Sequence, residues 1–368
     1  MNQIRVLHFI PGYNYGGIET TTKNICNYLK NSKVKIEILV GKQEDMSPIE
    51  ELKDTGCVVH VIEKMNKKHI LRYIKQIFNF FRINDSFNIV HSYNIVRTPI
   101  LFLAAKYTGI QNRIYHARTT LSSTSIFERI IFRVFIYIGT VLASQLLACS
   151  EEAGKYFFRN KKTKIIKNGI NTKKFLFNVN TRNRMRANLG IKNNDYVIGH
   201  IGRFCEAKNH NFIIDLFVEV YKQIPEARLL LIGDGSTKKM IENKIRSAGI
   251  DDRVILTGAV SNANDYLQAM DIFVFPSIYE GFGNVAVEAQ AAGLKVIASD
   301  KVPKSVKITD LVEFLPIDQG INRWVNLLIK SRHHLSRKNM YDEIIRSGFD
   351  IERNVLELEE FYIKLASN

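Results

Sequence analysis

The sequence predicts an α/β protein made of two parallel-sheet domains facing each other across a cleft. Three observations carry this. Short apolar runs alternate with stretches of helical spacing along nearly the whole chain. The alternation breaks once, near residues 166–182, and then restarts. The chain has 368 residues and is 46% hydrophobic, more than one core usually organises, since single cores rarely grow past roughly 250–300 residues.

In the first half, Ile4–Ile10 is an apolar strand closed by Pro11-Gly12, and helical spacing follows from about Gly17 to Lys30. Further strands are expected at Val34–Val40, Val58–Ile62, Ile89–Ser92 and Arg113–Ala117, with helical patterns near 69–83 and 98–108. Gln145–Cys149 is again strand-like and opens onto Ser150-Glu151-Glu152, a helix start capped by Ser150. Strands alternating with helices argue for a parallel sheet covered on both faces.

Lys167-Asn168-Gly169-Ile170-Asn171 is turn chemistry leading into an irregular polar stretch. The domain boundary is placed here, with residues 1–175 in the first domain and 176–350 in the second. Strands then recur at Val197–Ile201, Arg228–Ile232, Val254–Thr257, Ile272–Phe275, Val296–Ala298 and Val312–Leu315. Helices are expected near 209–223, 237–248, 261–270 and 284–292, and the tail from about 336 is expected to be helical. Open parallel sheets bind ligands beyond the C-terminal ends of their strands, so the chemistry is sought in the loops that follow strands.

The formal charge of +16 is spread along the chain. It suits plain solubility or an acidic partner: a diphosphate, an anionic membrane surface or nucleic acid. No homeodomain, zinc-finger, RNP or KH signature is present, so nucleic acid is not expected. Cys26, Cys57, Cys149 and Cys205 form no C-x-x-C pair and sit in or beside apolar runs, the pattern of buried free thiols in a reducing cytosol. Met1-Asn2-Gln3-Ile4-Arg5 leads straight into a strand, so no signal peptide is expected. The longest apolar stretch, Val134–Ala143, is about half of the roughly 20 residues a spanning helix needs. The expected place is the cytoplasm, with peripheral contact at the inner face of the membrane left open.

The most informative segment is Pro276-Ser277-Ile278-Tyr279-Glu280-Gly281-Phe282-Gly283-Asn284-Val285-Ala286-Val287-Glu288-Ala289, directly after a strand. Its glycines let backbone approach a ligand closely, and Asn284 suits an N-cap whose helix start favours an anion or a sugar oxygen. Eight helical residues rise about 12 Å, so Glu280 and Glu288 can reach hydroxyls at the hexose and ribose ends of one nucleotide-sugar. A carboxylate accepts from both hydroxyls of a vicinal diol. The bland alternative is a loop cap at Glu280 and a surface ion pair at Glu288.

A second segment, Gly202-Arg203-Phe204-Cys205-Glu206-Ala207-Lys208-Asn209, also follows a strand. Arg203 and Lys208 match a diphosphate and would stabilise the charge that gathers on it as a sugar–phosphate bond breaks; alternatively, this is a solvated loop. Gly16-Gly17 after the first strand suits a phosphate-binding turn or an ordinary tight turn, and is neither G-x-G-x-x-G nor a P-loop. His91 and His116 end strands, with Arg118 beside the latter, and either histidine could touch a reacting sugar or serve the sheet alone. No metal-ligand pattern is present, so neither a metal nor a separate cofactor is expected. Residues 69–82 and 126–142 are amphipathic and basic, consistent with packing on the sheet or with an anionic membrane.

The spacing Glu280-x7-Glu288 within E-G-F-G-N-V-x-V-E-A resembles retaining GT-B glycosyltransferases of family four. So do G-R-F-x-x-x-K-N-H from Gly202, L-L-I-G-D-G at Leu230–Gly235 and G-G-I-E-T at Gly16–Thr20. The look is that of bacterial capsule, exopolysaccharide and O-antigen transferases, over nearly the whole chain. The resemblance implies two Rossmann-like domains, the acceptor on the first and the donor on the second, with the last helix, 351–368, packing back on the first. It implies a hexose moved from a nucleotide-sugar, a UDP-sugar favoured, to a glycan or lipid-linked oligosaccharide. Glu280 would bind sugar hydroxyls, Glu288 the ribose, and Arg203 and Lys208 the diphosphate. Gly16 and Gly17 would meet phosphate, and the backbone of Phe282, Gly283, Asn284 and Val285 would meet the donor, with His116 counted among the catalytic groups. The sequence departs from the pattern at Ala117-Arg118, where relatives often read S-H, at Asn171 for Asp, and near Ser305 for Glu. A nucleotide-sugar 2-epimerase of the same fold and a non-catalytic basic surface-binding protein are the alternatives.

Overall fold

A computed structural model describes residues 3–13, 17–118, 126–333 and 336–367. Gly16 lies outside the described residues. The chain divides into two compact units, residues 1–169 with 351–368, and residues 170–350. The division falls ahead of the expected boundary at 175.

The first unit carries a seven-stranded sheet. Its strands are β1 (Ile4–Ile10), β2 (Val34–Gly41), β3 (Val58–Ile62), β4 (Ile89–Ser92), β5 (Asn112–Ala117), β6 (Gln145–Ala148) and β7 (Lys164–Ile165). They lie in the order β3-β2-β1-β4-β5-β6-β7, every pair parallel. Parallel neighbours require crossovers, which the helices Gly17–Leu29, Ser47–Lys53, Ile70–Ile83, Thr98–Tyr107, Ile126–Leu142 and Glu151–Phe158 supply. The strand order reverses between β1 and β4, which opens a crevice beyond their C-terminal ends.

The final helix, Ile351–Ser367, belongs to this unit. Ile351, Val355, Leu358 and Tyr362 enter one core with Val6, Ile25 and Ile38. Gly169 admits the start of that helix: a Cβ there would stand 2.5 Å from the Ile351 Cα, closer than packing allows.

The second unit repeats the plan with six strands. They are β8 (Tyr196–Ile201), β9 (Ala227–Ile232), β10 (Val254–Leu256), β11 (Ile272–Phe275), β12 (Lys295–Ser299) and β13 (Val312–Leu315). The order is β10-β9-β8-β11-β12-β13, all parallel, with the reversal between β8 and β11. Its core gathers Phe204, Ile213, Phe217, Leu229, Val274 and Trp324.

Two expectations are corrected and one is refined. The stretch 166–182 is not irregular, since it holds the helices Thr172–Phe175 and Val179–Asn188. The second has no apolar stripe to announce it; Arg182 and Arg186 bind Asp271 at 2.5 and 3.2 Å instead. The tail is helical as expected, in two helices, Tyr341–Arg346 and Ile351–Ser367, split at Gly348, which adopts φ 75°. Cys26 and Cys57 are not free thiols: they form a disulfide, with Cα atoms 6.2 Å apart across a sequence separation of 31. Such a pairing is set by the approach of helix Gly17–Leu29 to β3, which cysteine spacing does not reveal. Cys149 and Cys205 are free.

Candidate active site

The second unit brings its strongest sequence signals together at the strand reversal. The loop after β8 ends in a single turn, Glu206–Lys208, and the loop after β11 runs from Pro276 to Gly283. Two bonds stitch these loops. Ile278 N–H donates to the Ala207 carbonyl at 2.9 Å, and the Asn209 side-chain amide donates to the Pro276 carbonyl at 3.3 Å. Asn209 adopts the left-handed conformation, φ 56° and ψ 45°, which asparagine tolerates better than most residues.

At the seam, Lys208 Nζ donates to Glu280 Oε1. The same oxygen accepts from the buried Ser277 hydroxyl at 2.7 Å. The Lys208 ammonium also lies over the Phe275 ring, 5.1 Å from its centroid. Glu280 and Lys208 side chains are only 9% and 19% exposed, so the pair is held with little water to screen it.

Glu288 is the fifth residue of helix Asn284–Ala291. Burial pushes its carboxyl up to about 7, and the Lys208 charge pulls the other way. Lys208 is thus bonded to one carboxylate and within electrostatic reach of a second, desolvated one. The N-cap of this helix is Gly283 and not Asn284, which is the first helical residue. The cause is steric: Gly283 takes φ 99°, and a Cβ there would lie 2.9 Å from Phe275 Cε1, which only glycine avoids. Phe282 turns inward and stacks on Phe349 at 5.1 Å, so its backbone alone is left to face a ligand. Val285, in the first turn, is half-buried.

Arg203 is exposed, with no ion-pair or hydrogen-bond partner among the described residues. Its loop is held by Gly202 N–H to the Ile232 carbonyl and Phe204 N–H to the Asp234 carbonyl, both 2.9 Å. His200, which the sequence reading passed over, is fully buried on β8. Its Nδ1 donates to the Val274 carbonyl at 2.9 Å and its Nε2 has no partner.

In the first unit, Gly17 starts the helix after β1 at the strand reversal. His91 and His116 are both fully buried and belong to a larger network. Tyr93 Oη lies 2.9 Å from His8 Nδ1, and His8 Nε2 lies 2.9 Å from the Tyr362 hydroxyl. That hydroxyl is 2.6 Å from His91 Nδ1, and His91 Nε2 is 3.0 Å from His116 Nδ1. His116 Nε2 has no partner. Burial holds all three imidazoles below their usual range, His8 down to about 3, so they are neutral at pH 7. Sequence reading missed His8, Tyr93 and Tyr362. One signal was available: a histidine interrupts each apolar strand β1, β4 and β5, and the β1–β4 register sets His8 beside His91.

Comparison with known proteins assigns both units. Residues 15–174 match the family described as Glycosyltransferase Family 4, and residues 181–322 match Glycosyl transferases group 1. The putative glycosyltransferase EpsF of Bacillus subtilis is 29% identical over 371 residues, covering 98% of this chain and 97% of that protein. The UDP-Gal:α-D-GlcNAc-diphosphoundecaprenol α-1,3-galactosyltransferase of Escherichia coli is 20% identical, covering 100% and 98%. The crystal structure of Anabaena HepE in complex with UDP and glucose superposes with a TM-score of 0.80 at 18% identity, over 98% of this chain and 100% of that one. With a family match in each unit and two parallel sheets of this topology, the chain belongs to the GT-B glycosyltransferases of the family four type.

Proposed function

We propose that the chain is a retaining, metal-independent hexosyltransferase. In this reading a sugar moves from a nucleotide-sugar bound on the second unit to an acceptor received by the first. The observation that carries it is the Lys208–Glu280 pair beside the desolvated Glu288. A cation bonded to one carboxylate and in electrostatic reach of another, at a strand reversal, suits a ligand that carries both phosphates and hydroxyls.

Diphosphate binding draws Lys208 from Glu280 and leaves that carboxylate to accept from the hexose hydroxyls, while Glu288 accepts from the ribose diol. Arg203 closes on the same diphosphate. The bond from the anomeric carbon to the phosphate oxygen breaks, and Lys208 and Arg203 stabilise the negative charge left there. The acceptor oxygen bonds the same face of that carbon and its proton passes to the departing phosphate oxygen, so no protein nucleophile is needed. His116, with Nε2 unpartnered, attends the reacting sugar or the acceptor hydroxyl. Gly16, Gly17 and the backbone of Phe282, Gly283, Asn284 and Val285 complete the donor contacts.

A UDP-sugar is supported by the relatives whose names carry UDP-Gal or UDP. A lipid diphosphate-linked glycan acceptor is supported by the diphosphoundecaprenol acceptor of the Escherichia coli relative. Contact with an anionic membrane is supported by helix Ile126–Leu142, where Phe127, Ile130, Val134, Tyr137, Ile138 and Val141 form one exposed stripe. The neighbouring helices Ile70–Ile83 and Thr98–Tyr107 bear Arg72, Lys75, Arg82 and Lys106 outward and hold no acidic residue.

The test is thermal stability with UDP, GDP, ADP and their sugars, without added metal. A ligand that binds only the folded state raises the melting temperature. The expected result is a rise with UDP and UDP-sugars that is lost in Arg203→Ala. No rise with any of them at millimolar concentration overturns the donor site. Anomeric coupling in the product, read by proton NMR, decides retention.

A further inference from the structure

Arg118 leaves the C-terminal end of β5 and is 8% exposed, yet its Nε and Nη1 have no hydrogen-bond partner. No carboxylate among the described residues pairs with it. Its own charge helps to hold His8, His91 and His116 neutral. Burial raises the Cys149 thiol to about 11 and the Tyr93 hydroxyl to about 12, so both keep their protons. Among the described residues, the Tyr93 ring face, 4.7 Å from the guanidinium carbon, compensates the Arg118 charge in part. A buried guanidinium cannot shed its proton, and an unpaired buried charge is costly.

His116 adds to this deficit. Read from Tyr93 as first donor, the network assigns its protons consistently: Tyr93 O–H to His8 Nδ1, His8 Nε2–H to Tyr362, Tyr362 O–H to His91 Nδ1, and His91 Nε2–H to His116 Nδ1. Each neutral imidazole then holds one proton, and the last is left on His116 Nε2, which has no acceptor. In that direction of the network, the end of β5 presents a fork of guanidinium donors and an imidazole N–H, unanswered among the described residues.

We propose that Arg118, at the end of β5, forms an oxyanion site of the first unit that takes a phosphate oxygen of the acceptor. A planar fork of charged donors matches the geometry of a phosphate, as it does that of a carboxylate, and pyrophosphate is the probe that tests the first. The acceptor is then a phosphorylated or diphosphate-linked glycan. The role of that phosphate rests on the transferase reading above; the anion site itself does not.

The probe is inorganic pyrophosphate, titrated by calorimetry into the full-length protein with and without saturating UDP. The expected result is pyrophosphate binding that persists under UDP and weakens roughly tenfold or more in Arg118→Gln, with UDP affinity unchanged. Arg118→Met should keep or raise the melting temperature, because it removes a buried charge that has no partner. Arg118→Lys serves should either variant fail to fold, and should weaken binding while retaining charge. Absence of pyrophosphate binding under UDP, or binding indifferent to Arg118, overturns the proposal. So does a matching loss of UDP affinity, which would give these donors to the nucleotide's own diphosphate. Pyrophosphate binding without any nucleotide binding would sink the transferase reading and leave the anion site standing.

Discussion

The Tyr362 hydroxyl lies 2.6 Å from Nδ1 of His91, although 271 residues separate the two in sequence. The same hydroxyl lies 2.9 Å from Nε2 of His8. One phenol thus satisfies two neutral, buried imidazoles, donating to one and accepting from the other. The Tyr362→Phe variant keeps the ring in the core but leaves both nitrogens without a partner. The expected loss of stability is about 1–3 kcal/mol, read from urea unfolding. An unchanged midpoint would show that the hydroxyl is dispensable.

The Lys208–Glu280 pair separates structural from catalytic effects. Lys208→Met leaves Glu280 buried with its cation gone, at a cost of about 2–4 kcal/mol, and removes a charge from the departing phosphate. Turnover should fall by roughly a hundredfold to a thousandfold. Adding Glu280→Gln to that variant removes the buried negative charge, so stability should recover while turnover does not. A double variant that regains activity would mean that the pair acts on the fold alone.

The fold was legible because central parallel strands such as Ile272–Phe275 are buried on both faces and so read as unbroken apolar runs. Helix Val179–Asn188 was not, because Asp271 holds it through Arg182 and Arg186 rather than through an apolar stripe. In the second unit the loops bearing Lys208 and Glu280 could be read from their place after strands. Their direct bond could not, since it depends on β8 lying beside β11. Ser277, which shares Glu280 Oε1, carried no signal of its own. The histidine network escaped for a similar reason: Tyr93 and Tyr362 read as core aromatics, and only the docking of the last helix gives Tyr362 a polar task.

Helix Ile126–Leu142 exposes Phe127 at 71% and Tyr137 at 67%. Charging this stripe with Val134→Glu and Tyr137→Glu removes no buried contact, so folding should be unaffected. Binding to vesicles rich in anionic phosphatidylglycerol, followed by co-sedimentation, should be lost. Wild-type binding should also weaken as salt rises, because the exposed charges of the two adjoining helices are basic. Equal sedimentation of variant and wild type would remove this face from the membrane reading.

Glu288 makes the protein sensitive to pH in a direction the sequence alone did not give. Its carboxyl is raised by burial to about 7 in the folded state, against an ordinary value of 4.5. Between these values the folded protein holds a proton that the unfolded chain has released. Stability contributed by this group therefore falls as pH rises through that window, and the ionised carboxylate is a burden above it. Glu288→Gln should raise stability by about 1–3 kcal/mol near pH 8 and change little near pH 4.5. Donor binding should run the other way, because the ionised carboxylate is the better acceptor for a ribose diol. Affinity for a UDP-sugar, whose diphosphate diester does not titrate here, should rise from about pH 6 to about pH 8 in the wild type and stay flat in Glu288→Gln. A stability gain without loss of this affinity profile would leave Glu288 as a desolvated carboxyl with no part in holding the donor.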